Sequence, residues 1–412
     1  MKKYVLAIAF AITTVINVTS QNKEITKKEK KVILKLVSEK IMDSYIKLDL
    51  AKKMSSEINS NSKKYKSITN PKEFSKVLTK DLQKVSKDLH LKVNFEPKRI
   101  AQNKRVMPKK VKLKREQMMA MKMAEINYGF TETKVLNGNI GYINLRMFAD
   151  TKYAKETATA AMNFLSNTNA IIIDLRTNGG GVPNMMQLLS SYFTDKKPVL
   201  LSNFYERKTK NKTQLFTLEN INGKRRTNTP LYILTSKRTF SAAEAFTYTL
   251  KHLDKAIVVG EKTRGGANRT KRVNINDNFT ISIPYIEATH PVTKTNWEGI
   301  GVQPDISTSK NDAFIIAYID AIKKTVKRNK GKVLNGIGYS FLQEKEINNA
   351  LKVFQENAKL FPNDANSWDS LGEAFFYKKD KENALKAYKK ALELDDSSKS
   401  AKKMIQKLES IK

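Results

Sequence analysis

Apolar and polar positions change their period three times along the 412-residue chain. The first part runs at helical spacing. In KKVILKLVSEKIMDSYIKL apolar residues return every three or four positions. In NPKEFSKVLTKDLQKVSKDL, Asn70, Pro71 and Glu73 form a helix start, and Phe74, Val77, Leu78, Leu82 and Val85 share one face. HLKVNF then alternates as a strand does, with His90 at the junction. These patterns predict a small helical domain over 21–96 that ends in a strand. The basic stretch PKRIAQNKRVMPKKVKLKR follows, and 97–137 reads as a solvated basic linker.

From residue 138 strands and helices alternate. NIGYINLRMF predicts a strand and YAKETATAAMNFLSN a helix. NAIIIDLR barely alternates, so it predicts a strand buried on both faces. NGGG is a loop, VPNMMQLLSSYF a helix, and PVLLSNF, LYILTS and KAIVVG are strands, with TYTLKHL in a helix between the last two. Alternation of this kind predicts an α/β domain with a largely parallel sheet over 138–328.

The C-terminal part repeats. Trp368, Leu371, Gly372, Phe375, Ala384 and Tyr388 have counterparts 34 residues earlier in Leu334, Ile337, Gly338, Phe341, Ala350 and Phe354. That period and those offsets are the tetratricopeptide pattern, here as two repeats over 329–396 with a capping helix over 397–412. Arrays of this type bind protein segments, so a protein partner is expected at this surface.

Composition changes the picture at three points. Lys2 and Lys3 precede the apolar run YVLAIAFAITTVINV, and VTS follows, which reads as a secretory signal over 1–20 with cleavage after Ser20. No later run is apolar enough to cross a bilayer, so an exported protein, periplasmic or extracellular, is expected. The chain has no cysteine, which excludes disulfides, a cysteine nucleophile and cysteine metal sites. The net charge of +36 is mostly dispersed lysine. Its densest stretch has no aromatic residue on which bases could stack, so no nucleic-acid partner is expected. No pattern calls for a metal or an organic cofactor.

The candidate chemistry centres on RTFSAAEAF, 238–246. Ser-x-x-Glu before an apolar run is a helix capping box, and taken alone Ser241 is a cap. Yet Ser241 follows the strand LYILTS and begins a helix, where free backbone N–H groups favour developing negative charge. NGGG, 178–181, makes a second strand-to-helix turn. Two such turns in one parallel sheet present their amides at the same edge and could form an oxyanion hole. A serine nucleophile needs a base, and there are three histidines. His252 lies eleven residues along the same helix, roughly 16 Å away, which is too far. His290, in the loop ATHPVTK, and His90 both stay open on the residues alone.

Three stretches, in their order and spacing, resemble the C-terminal-processing (tail-specific) serine peptidases: GNIGYINLRMF, IIIDLRTNGGG, and TFSAAEAF followed by VVGEKTRGG. The likeness extends through WEGIGVQPDI and covers about residues 30–320. It implies a ClpP/crotonase-like α/β core, with Ser241 as nucleophile. The processing branch places its lysine base in Thr-x-Gly-Lys. Here the pattern reads Thr263-Arg264-Gly265-Gly266, and an interdomain PDZ module is missing. Lys262 is four residues out of register. Both departures are similar to the branch that holds the tricorn protease core and the repeats of interphotoreceptor retinoid-binding protein. There the base is a histidine from the preceding small domain, which maps to His90, and a late glutamate maps to Glu298.

The resemblance thus implies Ser241 as nucleophile, His90 as general base, Glu298 as the orienting carboxylate, and an oxyanion hole from the N–H groups of Ala242 and of Gly180 or Gly181. The expected function is an exported serine peptidase acting on proteins or peptides, without cofactor. The alternative is a non-catalytic ligand- or peptide-binding protein on the same scaffold, because the retinoid-binding repeats keep the fold and are known as carriers.

Overall fold

The computed structural model describes residues 24–104 and 108–410. The signal expected over 1–20 lies outside them. The described residues fall into two compact units. One takes the chain up to Ser86, Leu91–Lys104 and Arg272–Ile283; the other takes Lys87–His90 and the described parts of 105–271 and 284–412.

The smaller unit is helical, as the 3–4 spacing predicts. Helix α1 (Lys27–Ser44) starts in a capping box between Thr26 and Glu29. It is followed by α2 (Leu48–Ser60), the single turn α3 (Ser62–Tyr65) and α4 (Pro71–Ser86). Asn70 starts α4 by accepting from the backbone N–H groups of Lys72 and Glu73. Phe74, Leu78 and Leu82 are fully buried with Ile33, Val37 and Ile41 of α1. Strand β1 (Lys92–Phe95) pairs antiparallel with Phe279–Ser282 and closes that core, and α5 (Pro97–Lys104) follows.

The first helix of the larger unit is α6 (Lys109–Glu125), none of whose residues is buried. The segment read as a linker over 97–137 is therefore mostly helical. Its last residues form β2 (Phe130–Leu136), an antiparallel neighbour of the core strand β3 (Ile140–Leu145). High lysine content hides the helix, because an exposed helix needs no apolar stripe.

The chain then winds through α7 (Thr151–Phe164), β4 (Ala170–Asp174), α8 (Pro183–Tyr192), the hairpin β5 (Leu200–Glu206) and β6 (Asn211–Phe216), β7 (Leu231–Thr235), α9 (Ala242–His252) and β8 (Ile257–Gly260). Strands β9 (Arg269–Asn274), β10 (Phe279–Thr289) and β11 (Ile306–Ser307) and helix α10 (Ala313–Thr325) complete the core. The main sheet has the order β11-β8-β7-β4-β3-β2, parallel except for β2. All five residues of β4 and all five of β7 are buried, as a strand covered on both faces requires. Ile171 and Ile173 pack with α7, α8 and α9, whereas Ile172 packs with α10 on the other face.

The repeats follow as α11 (Lys330–Gln343), α12 (Ile347–Leu360), α13 (Ala365–Tyr377) and α14 (Lys381–Leu394), capped by α15 (Lys399–Ser410). They are not an appended tail. Leu334, Ile337 and Phe354 belong to the same buried cluster as Ile322 of α10 and Ile172 of the sheet, so one apolar core runs from sheet to repeats. A Cβ on Gly338 would meet the Phe354 ring at 2.4 Å, which explains glycine at that repeat offset. Gly338→Val should lower stability by about 1–3 kcal/mol through overpacking, read as a lower midpoint in urea denaturation. An unchanged midpoint would show that α11 and α12 can separate freely.

Candidate active site

Ser241 sits where β7 turns into α9, and its backbone is strained. Its φ of 57° and ψ of −120° lie outside the regions open to residues with a Cβ. Such a conformation costs of order 1–3 kcal/mol and persists only where the surroundings impose it. A sharp strand-to-helix turn with a strained serine lifts the hydroxyl clear of the sheet edge. Glu244 imposes much of the geometry. It is fully buried and accepts from the Ser241 N–H at 2.9 Å, the Thr263 hydroxyl, and the N–H groups of Gly265 (2.6 Å) and Gly266 (2.8 Å). Burial raises its pKa while these hydrogen bonds oppose the rise. The capping box is present, and its glutamate also ties the 263–266 loop to the serine turn.

The glycine loop packs directly on this turn. A Cβ on Gly180 would lie 2.7 Å from the Ser241 Cβ and 2.9 Å from the Ala242 nitrogen, and the φ of Gly180 is +99°. Only glycine fits there. Buried Asn178 shapes the loop, donating to the Leu145 carbonyl at 2.8 Å and accepting from the Gly180 N–H at 2.8 Å. Thr239 ties the two turns together by donating to the Leu175 carbonyl, and the Phe240 N–H donates to the Asn178 carbonyl. The Gly180 amide is thus committed inside its own loop. Gly181, unlike Gly180, is exposed, and its φ of +149° lets it approach the Phe148 carbonyl, which a Cβ would overlap.

His90 packs with the larger unit rather than with the helical one that precedes it in sequence. Its ring lies on Phe240, the residue before Ser241, with centroids 4.5 Å apart. A Cβ on Gly266 would stand 2.6 Å from the His90 Cε1. The position held by lysine in the processing branch is therefore emptied here, and the imidazole uses the space. The His90 backbone N–H donates to Asp88 at 3.0 Å, and the His90 Nδ1 is 3.9 Å from the same carboxylate. Asp88 is fully buried and receives the Asn268 side-chain amide at 3.3 Å.

Glu298 joins this group. It accepts from the N–H groups of Ala267 (2.6 Å) and Asn268 (3.0 Å). Ligand atoms of Asp88, His90 and Glu298 all lie within 4.8 Å of one another. Burial, with Asp88 adding to it, pushes the Glu298 carboxyl up to about 8. Two carboxyls this close favour holding one proton between them. The donor set could also hold a metal ion, but the shared proton and the imidazole describe a proton-handling group equally well without one.

His90, Gly181, Ser241 and Ala242 line one cavity of about 250 Å³. His290 lines it too, with Thr249 and Trp297; its ring is 5.8 Å from that of His252. Lys262 is not among the lining residues. The structure therefore gathers Ser241, Ala242, Gly181, His90 and Glu298, with Gly180 as a packing surface. Sequence reasoning missed Asp88, Glu244 and Asn178. Asp88 lies two residues from His90, and Glu244 is the glutamate of the capping box, so both were in view without a role.

Residues 139–308 match peptidase family S41, residues 19–128 match the N-terminal domain of peptidase S41 in eukaryotic IRBP, and residues 365–398 match the tetratricopeptide repeat. The carboxy-terminal processing protease CtpA of Bacillus subtilis is 25% identical over 242 residues, 55% of this chain and 50% of that protein. The chloroplastic carboxyl-terminal-processing peptidase 2 of Arabidopsis thaliana is 28% identical over 169 residues, 40% of this chain and 31% of that protein. The chain spans about half the length of the first of these relatives, and less of the second. A solved photosystem II D1 C-terminal processing protease aligns with 68% of this chain and 93% of its own, at 14% identity and a TM-score of 0.46.

The raised Glu298 pKa has a consequence for stability. The folded protein keeps a proton that the unfolded chain releases in the ordinary glutamate range. Wild type should therefore lose stability relative to Glu298→Gln as pH rises from that range to about 8, with no further change above it. Urea denaturation of both proteins across this window checks the sign; a difference independent of pH would place no proton on Glu298.

Proposed function

We propose that this chain, which carries a domain of peptidase family S41, is an exported serine peptidase that hydrolyses peptide bonds through Ser241 with His90 as general base. The observation that carries the reading is the strained Ser241 turn, held against Gly180 and facing the same cavity as His90. A helix cap needs no such strain, and a surface histidine needs no glycine at 266 to make room for it.

The Ser241 hydroxyl attacks the carbonyl carbon as the His90 Nε2 takes its proton. The His90 Nδ1 faces Asp88, whose negative charge stabilises the imidazolium. Glu298 holds Asp88 in place through the proton they share. The oxyanion is received by the Ala242 N–H at the start of α9 and by the Gly181 N–H, since the Gly180 N–H is committed to Asn178. When the C–N bond breaks, His90 gives its proton to the leaving amine. Water then attacks the acyl-enzyme, passing a proton to His90, and Ser241 leaves reprotonated. The chain's own residues supply each of these parts, so no cofactor is invoked.

Export follows from the basic and apolar residues at 1–20. The repeats would hold a protein substrate or partner, since their helices share a core with the sheet and so stay in a fixed relation to it. Incubation with unfolded protein substrates, followed by mass spectrometry of the products, tests the reading. Wild type should release peptides, Ser241→Ala none, and Asp88→Asn at least about 100-fold fewer, as expected when the charge beside the base is lost. Equal product from wild type and Ser241→Ala would overturn it.

A further inference from the structure

One wall of the serine cavity is a sheet face. Ser202 and Phe204 are two residues apart on β5, so their side chains share a face, and Ala288 of β10 stands directly opposite Phe204. All three line the cavity together with Ser241. Strand β9 pairs with β10, and its first residue, Arg269, lines the cavity too. Among the described residues that line it, Arg269 is the only lysine, arginine, aspartate or glutamate.

The guanidinium itself reaches this wall. The Arg269 Cζ stands over the Phe204 ring at 5.2 Å. Stacking on an aromatic ring occupies the flat face of a guanidinium and leaves its N–H donors pointing outward in the plane. No hydrogen bond or ion pair takes up these donors among the described residues. Arg176, Arg225 and Arg226, by contrast, spend theirs on Asp174 or on backbone carbonyls. Arg269 is exposed, as is Thr270 beside it. The cation therefore stands at the open rim of the cavity, where a ligand atom can reach it. In the reaction assigned to this site nothing else uses Arg269.

We infer that Arg269 determines specificity in the peptidase and that its guanidinium receives the carboxylate of an aspartate or glutamate side chain close to the cleaved bond of the substrate. The inference rests on the serine-peptidase reading. The planar fork of N–H donors matches the two oxygens of a carboxylate. No acidic side chain lines the cavity to compete for the guanidinium or to repel the incoming charge. At an exposed rim the carboxylate keeps part of its hydration, so the pair need not repay a full desolvation cost. A chain can also run on past a cation at the rim, which suits a side chain within a segment rather than the end of one.

The test uses the full chain and quenched peptides built on a sequence that wild type cuts in an unfolded protein. Glutamate, glutamine or lysine is placed in turn at each residue flanking the cleaved bond, with the C-terminus either free or amidated. At one position kcat/KM for glutamate should exceed that for glutamine on the order of ten-fold, with lysine lowest, whichever C-terminus is present. In Arg269→Gln that ratio should fall to about one while the glutamine peptide is cut as before, and Arg269→Glu should reverse the order to favour lysine. Equal cleavage of the glutamate and glutamine peptides at every position overturns the assignment and leaves the peptidase reading standing. So does a ratio unchanged in Arg269→Gln, or a preference only for the free C-terminus. If wild type releases nothing from unfolded protein, the peptidase reading falls and this inference with it.

Discussion

The contact on which the site depends is the approach of the Gly180 backbone to Ser241 and Ala242. It brings two strand-to-helix turns of one parallel sheet within van der Waals distance. Any side chain at 180 would occupy the space of the Ser241 Cβ or the Ala242 nitrogen. The approach is held from both sides. Asn178 and Thr239 fasten the glycine loop and the serine turn to the ends of β3 and β4. Glu244 fastens the serine turn to the loop at 263–266. The strain at Ser241 is sustained by these hydrogen bonds, several of them to a buried carboxylate, which are the stronger kind.

The same loop decides what can stand beside the serine turn. With glycine at 266, the space beside Phe240 admits an imidazole, and His90 enters it. Lysine at 266 would collide with that ring. The histidine arrangement and the missing lysine are therefore one structural fact. The histidine also brings its own carboxylate, since Asp88 is two residues away and buried against Asn268. In the proposed mechanism Glu298 acts on His90 through Asp88.

Much of this was legible before folding. The alternation from 138 onward gave the parallel sheet, the 34-residue period gave the repeats, and the capping box placed Ser241 at a helix start. What was not legible depends on long-range contact. Nothing in NGGG says that its third residue uses its amide internally while its fourth does not; that follows from Asn178 folding back on the loop. Nothing in KDLHLKV marks Asp88 as buried. The helix at 109–125 escaped because its lysines give no apolar face. The repeats were read as a separate domain because sequence period reports local packing, not the shared cluster that joins Leu334 to Ile172.

The central claim is that Ser241 is an activated nucleophile and not only a helix cap. It is tested most directly by treating the protein with a fluorophosphonate and mapping the modified residue by peptide mass spectrometry. The account requires one adduct per chain, on Ser241, formed much more slowly when His90 is replaced by alanine. A folded protein that takes no label, or takes it on another residue, would contradict the account and return Ser241 to the role of a cap.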